Sequence, residues 1–450
     1  MSARRHAGAM PTARPRGAAS LIVVMMLFFL VSLVAAYSGR NLIFEQRTSV
    51  NQFRAVQGFE AADAGVEWAL AMLNGGRITD ACVEGVAATA QTSFRQRYLN
   101  INPATGVVTP RTTAAGAVLT PSCVFDGTNW VCSCPDNGPP ALTLPAGGGV
   151  YPAFRIRFVT TNVVRPGVIG IESQGCTRLA DACLNFPATA VESEGRALVT
   201  AFVALKPSVA TPPSAALTVL GTVAAGAVVN AYNTEADRGG LALHVGNPGG
   251  ATIDTAGFVL RGPPGTPADA VRVLTDSSLT DMTAAPDRVL PTLLGAWPDV
   301  YRQQPAALLF DCPLSGCRAA LADLVARHPG RVVRVEGPLT LESAGDVGSL
   351  PDPANPLLAG PVMLLVSGPV RFTTPGAGAI VRVFGMVYSQ DGAWQGPGQI
   401  QGAAFIEGNL GAGAAPAVNI TVNMVGTVMD FMRFQSGSFV RLPGSWRDFE

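Results

Sequence analysis

Lysine is nearly absent: Lys206 is the only one among 31 basic residues, and the rest are arginine. It is followed by Pro207 rather than Ser or Thr, so no phosphate-cradling loop of the Walker kind is built around it. Histidine is almost as scarce. Of the three, His6 lies in a basic N-terminal stretch, and His244 and His328 stand alone without metal-ligand or triad spacing. A Gly-x-Ser-x-Gly elbow, an HExxH motif and a complete dinucleotide fingerprint are all missing. Charge is sparse as well, at 14% of residues, with 31 basic residues balancing 31 acidic ones. Without a net charge or a long like-charge run there is no electrostatic footprint for nucleic acid. No cofactor and no enzymatic activity are expected.

What is abundant is apolar and turn-forming sequence: 48% of the 450 residues are hydrophobic, with 50 Gly and 35 Pro. That length exceeds one compact core and predicts two or three folded parts. From Ala18 to Tyr37 run 20 residues without a charge, enough to cross a bilayer as a helix. Arg4, Arg5, Arg14 and Arg16 precede it, and no acid occurs before Glu45. The positive-inside rule then leaves the N-terminus in the cytoplasm and carries the remainder across. A secretory signal has a shorter apolar region ending in small residues; Val34-Ala35-Ala36 keeps that alternative open.

No proline interrupts Asn41 to Leu73, and Val50, Phe53, Val56, Phe59, Val66, Leu70 and Leu73 recur at helical steps. Gly75-Gly76 is the expected stop, by the left-handed conformation that glycine tolerates. The two segments predict one helix of more than 50 residues, with Gly39 as a candidate bend.

The basic leader ending in Arg16-Gly17-Ala18-Ala19, the apolar stretch, then Glu45, Arg47 and Asn51, and the run Phe59-Glu60-Ala61-Ala62-Asp63-Ala64-Gly65 resemble the N-terminal region of PilX-type pilus assembly proteins, minor pilin- or pseudopilin-like members of the type IV pilus system. Asp63 stands where that family usually has Glu, and Gly58 where Ala is common. The resemblance implies cleavage by a prepilin peptidase between Gly17 and Ala18, with N-methylation of Ala18. Most pilins carry a glutamate at the fifth residue after the cut, which neutralises a neighbouring amine; here that position is Ile22. A subunit lacking this carboxylate suits a cap or priming complex better than a repeating position, because a buried unpaired charge is costly. The implied partners are other major and minor pilins, the prepilin peptidase and an inner-membrane assembly platform. The implied location is the inner membrane, single-pass with a periplasmic C-terminus, and the pilus outside the cell after assembly. The closing "VRLPGSWRDFE" resembles the tail of longer PilX-type proteins.

Eight cysteines, all beyond the apolar segment, favour disulfides in an exported chain. Cys176 with Cys183 and Cys312 with Cys317 form short loops, and an Asp-Gly turn places Cys123 opposite Cys132 in a hairpin. Cys82 is then left for Cys134, although other pairings satisfy the sequence. Zinc at Cys132-x-Cys134 is the alternative, without a histidine nearby.

The expected fold is α+β: a leader (1–17), a membrane and assembly helix (18–75), a pilin-like head with cysteines (76–205), a Pro-rich linker (206–216) and a β-rich domain (217–450) with a helical insertion near 287–330. "AFRIRFVTT", "GVIGIESQG" and "RALVTAFVAL" read as a small antiparallel sheet of the head. Gly368, Gly385 and Gly402 are spaced by 17 residues, close to one coil of a β-helix. A Greek-key sandwich is the alternative. If the domain is a β-helix, Asp254, Asp276 and Asp281 are candidates for a polysaccharide-cleaving face, though each residue type more often serves as a turn or cap. The functional expectation is a minor pilin-like subunit at or near the tip or in the priming complex. The alternative is a membrane-anchored or secreted β-helix protein acting as an adhesin or a polysaccharide-cleaving enzyme.

Overall fold

The computed structural model describes residues 18–85, 92–147, 150–161, 165–186, 195–283, 288–352, 359–373, 380–411 and 418–448. The expected leader lies outside them. The first element is a single helix, α1 (Ala18–Leu73), whose 56 residues span about 84 Å at 1.5 Å per residue. It runs through Gly39 without interruption. Its end differs from expectation, because neither Gly75 nor Gly76 is left-handed. A tight turn closes it instead, with Asn74 N–H donating to Ala71 O and Gly75 N–H to Met72 O. Gly76 is needed for space: a Cβ there would lie 2.5 Å from His328 Nδ1.

The lower part of α1 packs on an antiparallel sheet. Its strands are β1 (Ser122–Phe125), β2 (Trp130–Ser133), β3 (Ala153–Val159), β4 (Val168–Cys176) and β5 (Arg196–Pro207). Period-two alternation puts Phe154, Ile156 and Phe158 of β3 and Val199, Ala201 and Val203 of β5 into the core beneath α1. The sixth strand is the last of the chain, β20 (Gly437–Arg441), which pairs antiparallel with β5 from Gly437↔Pro207 to Arg441↔Val203. The sheet order is β20-β5-β4-β3-β1-β2. A short helix, α2 (Phe94–Tyr98), opened by a Ser93/Gln96 capping box, adds Phe94 and Tyr98 to this core.

The strands of the 14-stranded sheet are all parallel. They are β6 (Ala215–Val219), β7 (Val228–Tyr232), β8 (Leu241–Val245), β9 (Phe258–Arg261), β10 (Arg272–Val273), β11 (Ala307–Phe310), β12 (Val332–Val335), β13 (Leu339–Leu341), β14 (Gly345–Val347), β15 (Val362–Val366), β16 (Val370–Phe372), β17 (Val381–Ser389), β18 (Trp394–Ile406) and β19 (Val418–Asn423). One ladder runs β11, β12, β15, then the second halves of β17 and β18, then β6, β8 and β10. Another runs β14, the first halves of β17 and β18, then β19, β7 and β9. A short third ladder joins β13, β16 and the start of β18. A Greek-key arrangement needs antiparallel neighbours and does not fit these pairings.

Strands β17 and β18 each pass from one ladder to the next at a glycine. Gly385 has φ +145° and Gly402 φ +149°, and the two are register partners. Added Cβ atoms would lie 1.8 Å from Val362 O and 2.0 Å from Gly385 O respectively, so only glycine fits either corner. Gly368 does not share this column: it lies in the turn before β16, against the Gly337 backbone. The 17-residue spacing is therefore a structural period for Gly385 and Gly402 only.

Chain order and ladder order differ. The chain enters the long ladder at β6 and moves outward to β10. It then crosses through α3 (Ser277–Thr283), α4 (Val289–Leu294) and α5 (Pro298–Arg302) to the far end at β11, and returns until β18 lies beside β6. The expected helical insertion near 287–330 thus contains a strand, because Ala307–Phe310 pairs with β12; α6 (Cys317–Arg327) follows it. After β19, α7 (Gly426–Phe434) buries Val428, Met429 and Met432, contacts β17 and β18, and leads into β20. The proline-rich stretch 206–216 is packed at this junction. Ser208 and Val209 are fully buried, Ser208 Oγ donates to Met432 O at 3.0 Å, and Tyr301 Oη donates to Ser208 O at 2.8 Å.

Candidate assembly interface

The two halves of α1 meet different surroundings. Residues 20–56 are almost wholly exposed, including Leu21, Ile22, Met26, Phe28, Phe29 and Leu33, and no charged residue occurs from Ser20 to Gly39. By length and composition this helix is sufficient to cross a membrane. Ile22 is 58% exposed, so the position singled out for its missing carboxylate faces outward. Glu45, Arg47 and Asn51 lie further along, also exposed. Gly17 falls outside the described residues, and Ala18 opens the helix.

Below Val56 the helix turns from exposed to packed, but not on the face its large residues suggest. Val50, Phe53 and Val56 stay exposed. The buried face is made of small residues instead: Gly58, Ala61, Ala62, Gly65, Val66 and Ala69, ending at Leu73. The stripe of large apolar residues is corrected accordingly, since only Val66 and Leu73 of it are fully buried. Close approach is the reason. A Cβ on Gly65 would lie 2.2 Å from Ser173 Oγ, and one on Gly175 of β4 would lie 2.2 Å from Gly58 O. On Gly195, just before β5, it would lie 2.0 Å from Arg54 O. Gly58, the departure from the family pattern, has backbone of residues 195 and 196 at 3.1 Å from its ideal Cβ position. Trp68 fills the wider gap beside this seam, edge-on to Phe94 at 5.3 Å.

The C-terminal tail fastens onto the same stretch of helix. Trp446 Nε1 donates to Asp63 Oδ1 at 3.2 Å, and its ring meets Phe59 edge-to-face at 5.9 Å. Arg441 pairs with Glu67. Arg447 N–H donates to Thr200 O, and Thr200 N–H donates back to Arg447 O, each at 2.8 Å. Phe439 of β20 is fully buried, and its backbone is bracketed by the Asn74 amide, which donates to Phe439 O and accepts from Phe439 N–H, both at 2.8 Å. Of the singled-out residues, Phe59 and Asp63 therefore belong to a clasp within the chain, while Glu60 is exposed.

At the foot of α1 a buried guanidinium gathers three segments. Arg95 donates to Leu73 O, to Gln435 O at 3.1 Å and to Gly437 O at 2.8 Å. Leu73 O lies at the negative end of the helix, which suits a cation. Burial, with Arg331 nearby, pulls the Arg95 pKa down to about 9. No spacing of charges marks this joint in the sequence, because the guanidinium is held by carbonyls and by the Phe439 ring rather than by an acidic partner.

The cysteines form Cys82–Cys134, Cys123–Cys132, Cys176–Cys183 and Cys312–Cys317. Cys132 and Cys134 belong to different bridges, which leaves no thiolate for zinc. Among the described residues no group of His, Cys, Asp and Glu is arranged to hold a metal. Asp254 and Asp276 perform turn and cap duties, each accepting the N–H two residues on, from Ala256 and Ser278. Asp281 is exposed on α3. His244 is not alone as its spacing suggested: its Nε2 meets Asp276 Oδ2 at 2.5 Å. Hydrogen bonds from Ser278, then from His244, hold the Asp276 carboxyl down at about 2. His328 sits half-buried at the end of α6, and burial lowers its pKa.

Residues 16–67 match the family model for the PilX N-terminal region. The stem of this chain is thus a PilX-type, type IV pilin-like segment. Among solved structures, the competence-associated pilin ComZ from Thermus thermophilus is similar at 10% identity, covering 88% of this chain and 97% of that one. Its TM-score is 0.23, a value at which the likeness carries no argument about fold. No curated protein matches the chain.

Proposed function

We propose that the chain is a minor pilin-like subunit of type IV pilus assembly, acting at or near the tip or in the priming complex. The observation that carries this reading is the division of α1: residues 20–56 are almost wholly exposed, apolar and uncharged as far as Gly39 and mixed beyond it, while 58–73 are locked to the chain's own sheet. An anchor needs only about 20 apolar residues to hold a protein at a membrane. A rigid continuation of the same helix into a folded head supports transfer of that surface from lipid to neighbouring helices. Since lipid is as apolar as the segment, packing rather than water exclusion drives that step. On this reading the helix spans the inner membrane with the body on the periplasmic side, and afterwards lies among other major and minor pilins. The prepilin peptidase releases the leader at Gly17, and the assembly platform extracts the mature chain.

Ile22 supports a cap or priming position. An uncompensated amine is a cost incurred once there, but at every repeat along a fibre. The body is read as a pilin-like α+β head joined to a β-helix of three stacked ladders. Mass spectrometry of the chain from envelopes or sheared filaments tests the proposal. It should begin at methylated Ala18, and replacing Gly17 should block both processing and piliation. A start at Tyr37, or an intact Met1, would return the protein to the secreted or anchored classes.

A further inference from the structure

On the outer face of the long ladder, successive coils set side chains in columns. Glu336, Ser367 and Gln390 directly follow β12, β15 and β17, and the backbone ladder continues through them. Ser367 N–H donates to Val335 O at 3.0 Å, and Gln390 N–H to Val366 O at 2.9 Å. Two positions earlier, Arg334 and Leu365 are register partners. Arg302, the last residue of α5, closes the other side, and an open cleft of about 300 Å³ lies between them.

The charges of this cleft are unevenly satisfied. Arg334 pairs with Glu336 at 3.2 Å. Arg302 reaches only Asp299, at 4.0 Å and one turn away, and that carboxylate is 87% exposed. Such a contact is weak in water, so the Arg302 guanidinium is available to an incoming anion. With two guanidiniums and one carboxylate in its wall, the cleft favours a negatively charged ligand. Arg offers a bidentate fork to a carboxylate. Glu336, Ser367 and the Gln390 amide follow one another one coil apart, at about 4.8 Å. The Ser367 hydroxyl accepts from Gly337 N–H at 2.9 Å and donates to Val335 O at 3.3 Å, which leaves it one lone pair to offer as an acceptor. Leu365 gives an apolar floor between them.

We propose that this cleft binds a uronate-bearing oligosaccharide, with Arg302 taking the carboxylate and Glu336, Ser367 and Gln390 taking hydroxyls of the sugar units. A ligand with a carboxylate flanked by several hydroxyls matches one available guanidinium beside a row of hydrogen-bonding side chains set one coil apart. This inference stands apart from the pilus reading, since it concerns binding to the body alone.

Calorimetric titration of the detergent-solubilised full chain with trigalacturonate tests it, with trimannuronate, the methyl ester of trigalacturonate and inorganic phosphate as comparisons. Saturable binding of one or both uronates is expected, weakened about tenfold or more by esterification and by Arg302→Gln, which corresponds to about 1.4 kcal/mol. Gln390→Ala should weaken it less, and neither variant should shift the melting temperature. Absence of binding by both uronates overturns the proposal. So does equal binding of acid and ester, or indifference to Arg302→Gln. Displacement by phosphate at matching concentration would make the cleft a plain anion site and overturn the saccharide assignment.

Discussion

The indole of Trp446 donates to Asp63 Oδ1 at 3.2 Å, a bond between residues 383 positions apart. It ties the tail of the chain to the helix that carries the exposed apolar segment, with Phe59, one turn nearer that segment, completing the contact. Trp446→Ala removes both the hydrogen bond and the ring pair and should cost about 1–2 kcal/mol. Thermal unfolding of the solubilised chain measures this. Asp63→Glu, which restores the family's usual residue, should cost less than Asp63→Ala if the longer carboxylate still reaches the indole.

The packed and exposed faces of α1 should respond in opposite ways. Gly65→Val drives its side chain into Ser173 and Phe154 and should destabilise the head by about 2–4 kcal/mol. Phe53 is 64% exposed, so Phe53→Ser should leave the melting temperature within about 0.5 kcal/mol of the parent. The same substitution should reduce recovery of the subunit in sheared filaments. Normal recovery would show that this face is not buried by neighbours.

Corner glycines give a sharper contrast. Gly385→Ala places a Cβ 1.8 Å from Val362 O at φ +145° and should cost about 3 kcal/mol or more. Gly226 is also left-handed, at φ +73°, but nothing lies within 4 Å of its ideal Cβ. Gly226→Ala should therefore cost only about 1 kcal/mol. Equal losses in chemical unfolding would mean that the strands do not turn at Gly385.

Acid should weaken the parent through Asp276. Its folded pKa, about 2, lies below the unfolded value, so the stabilisation is complete above about pH 4 and is lost as pH falls through about 2. Because the carboxylate is partly solvated, about 1 kcal/mol is at stake rather than the full shift. Unfolding by urea at pH 5, 4, 3 and 2 should show the parent and Asp276→Asn converging at the acid end. A constant gap between them would contradict the assignment.

The elements legible in the sequence were those with local causes. Leader, apolar run and the Phe59–Gly65 signature are contiguous, and alternation along residues 153–159 and 196–205 marks strands that each bury one face. The packed face of α1 is not the one marked by its large apolar residues, because hydrophobicity alone does not signal close approach, whereas Gly58, Ala62 and Gly65 are buried for their smallness. Partners far apart in the chain left no periodic mark. Strand β18 meets β6 between Ala404 and Leu217, and β20 meets β5 between Gly437 and Pro207. The pairing of His244 with Asp276 was hidden for the same reason, since it depends on β8 and β10 lying side by side.

Strand β20 also sets an order of events. The head begins with residues made early, yet its sheet and core lack their last strand, and Phe439, until the final residues of the chain are in place. Arg95 likewise has no Gly437 carbonyl to bind before then. A chain cut short within the β-rich portion would possess a complete stem and an unfinished seat for it. The pairing of β20 with β5 thereby makes the base of the stem depend on residues as much as 365 positions away in the sequence.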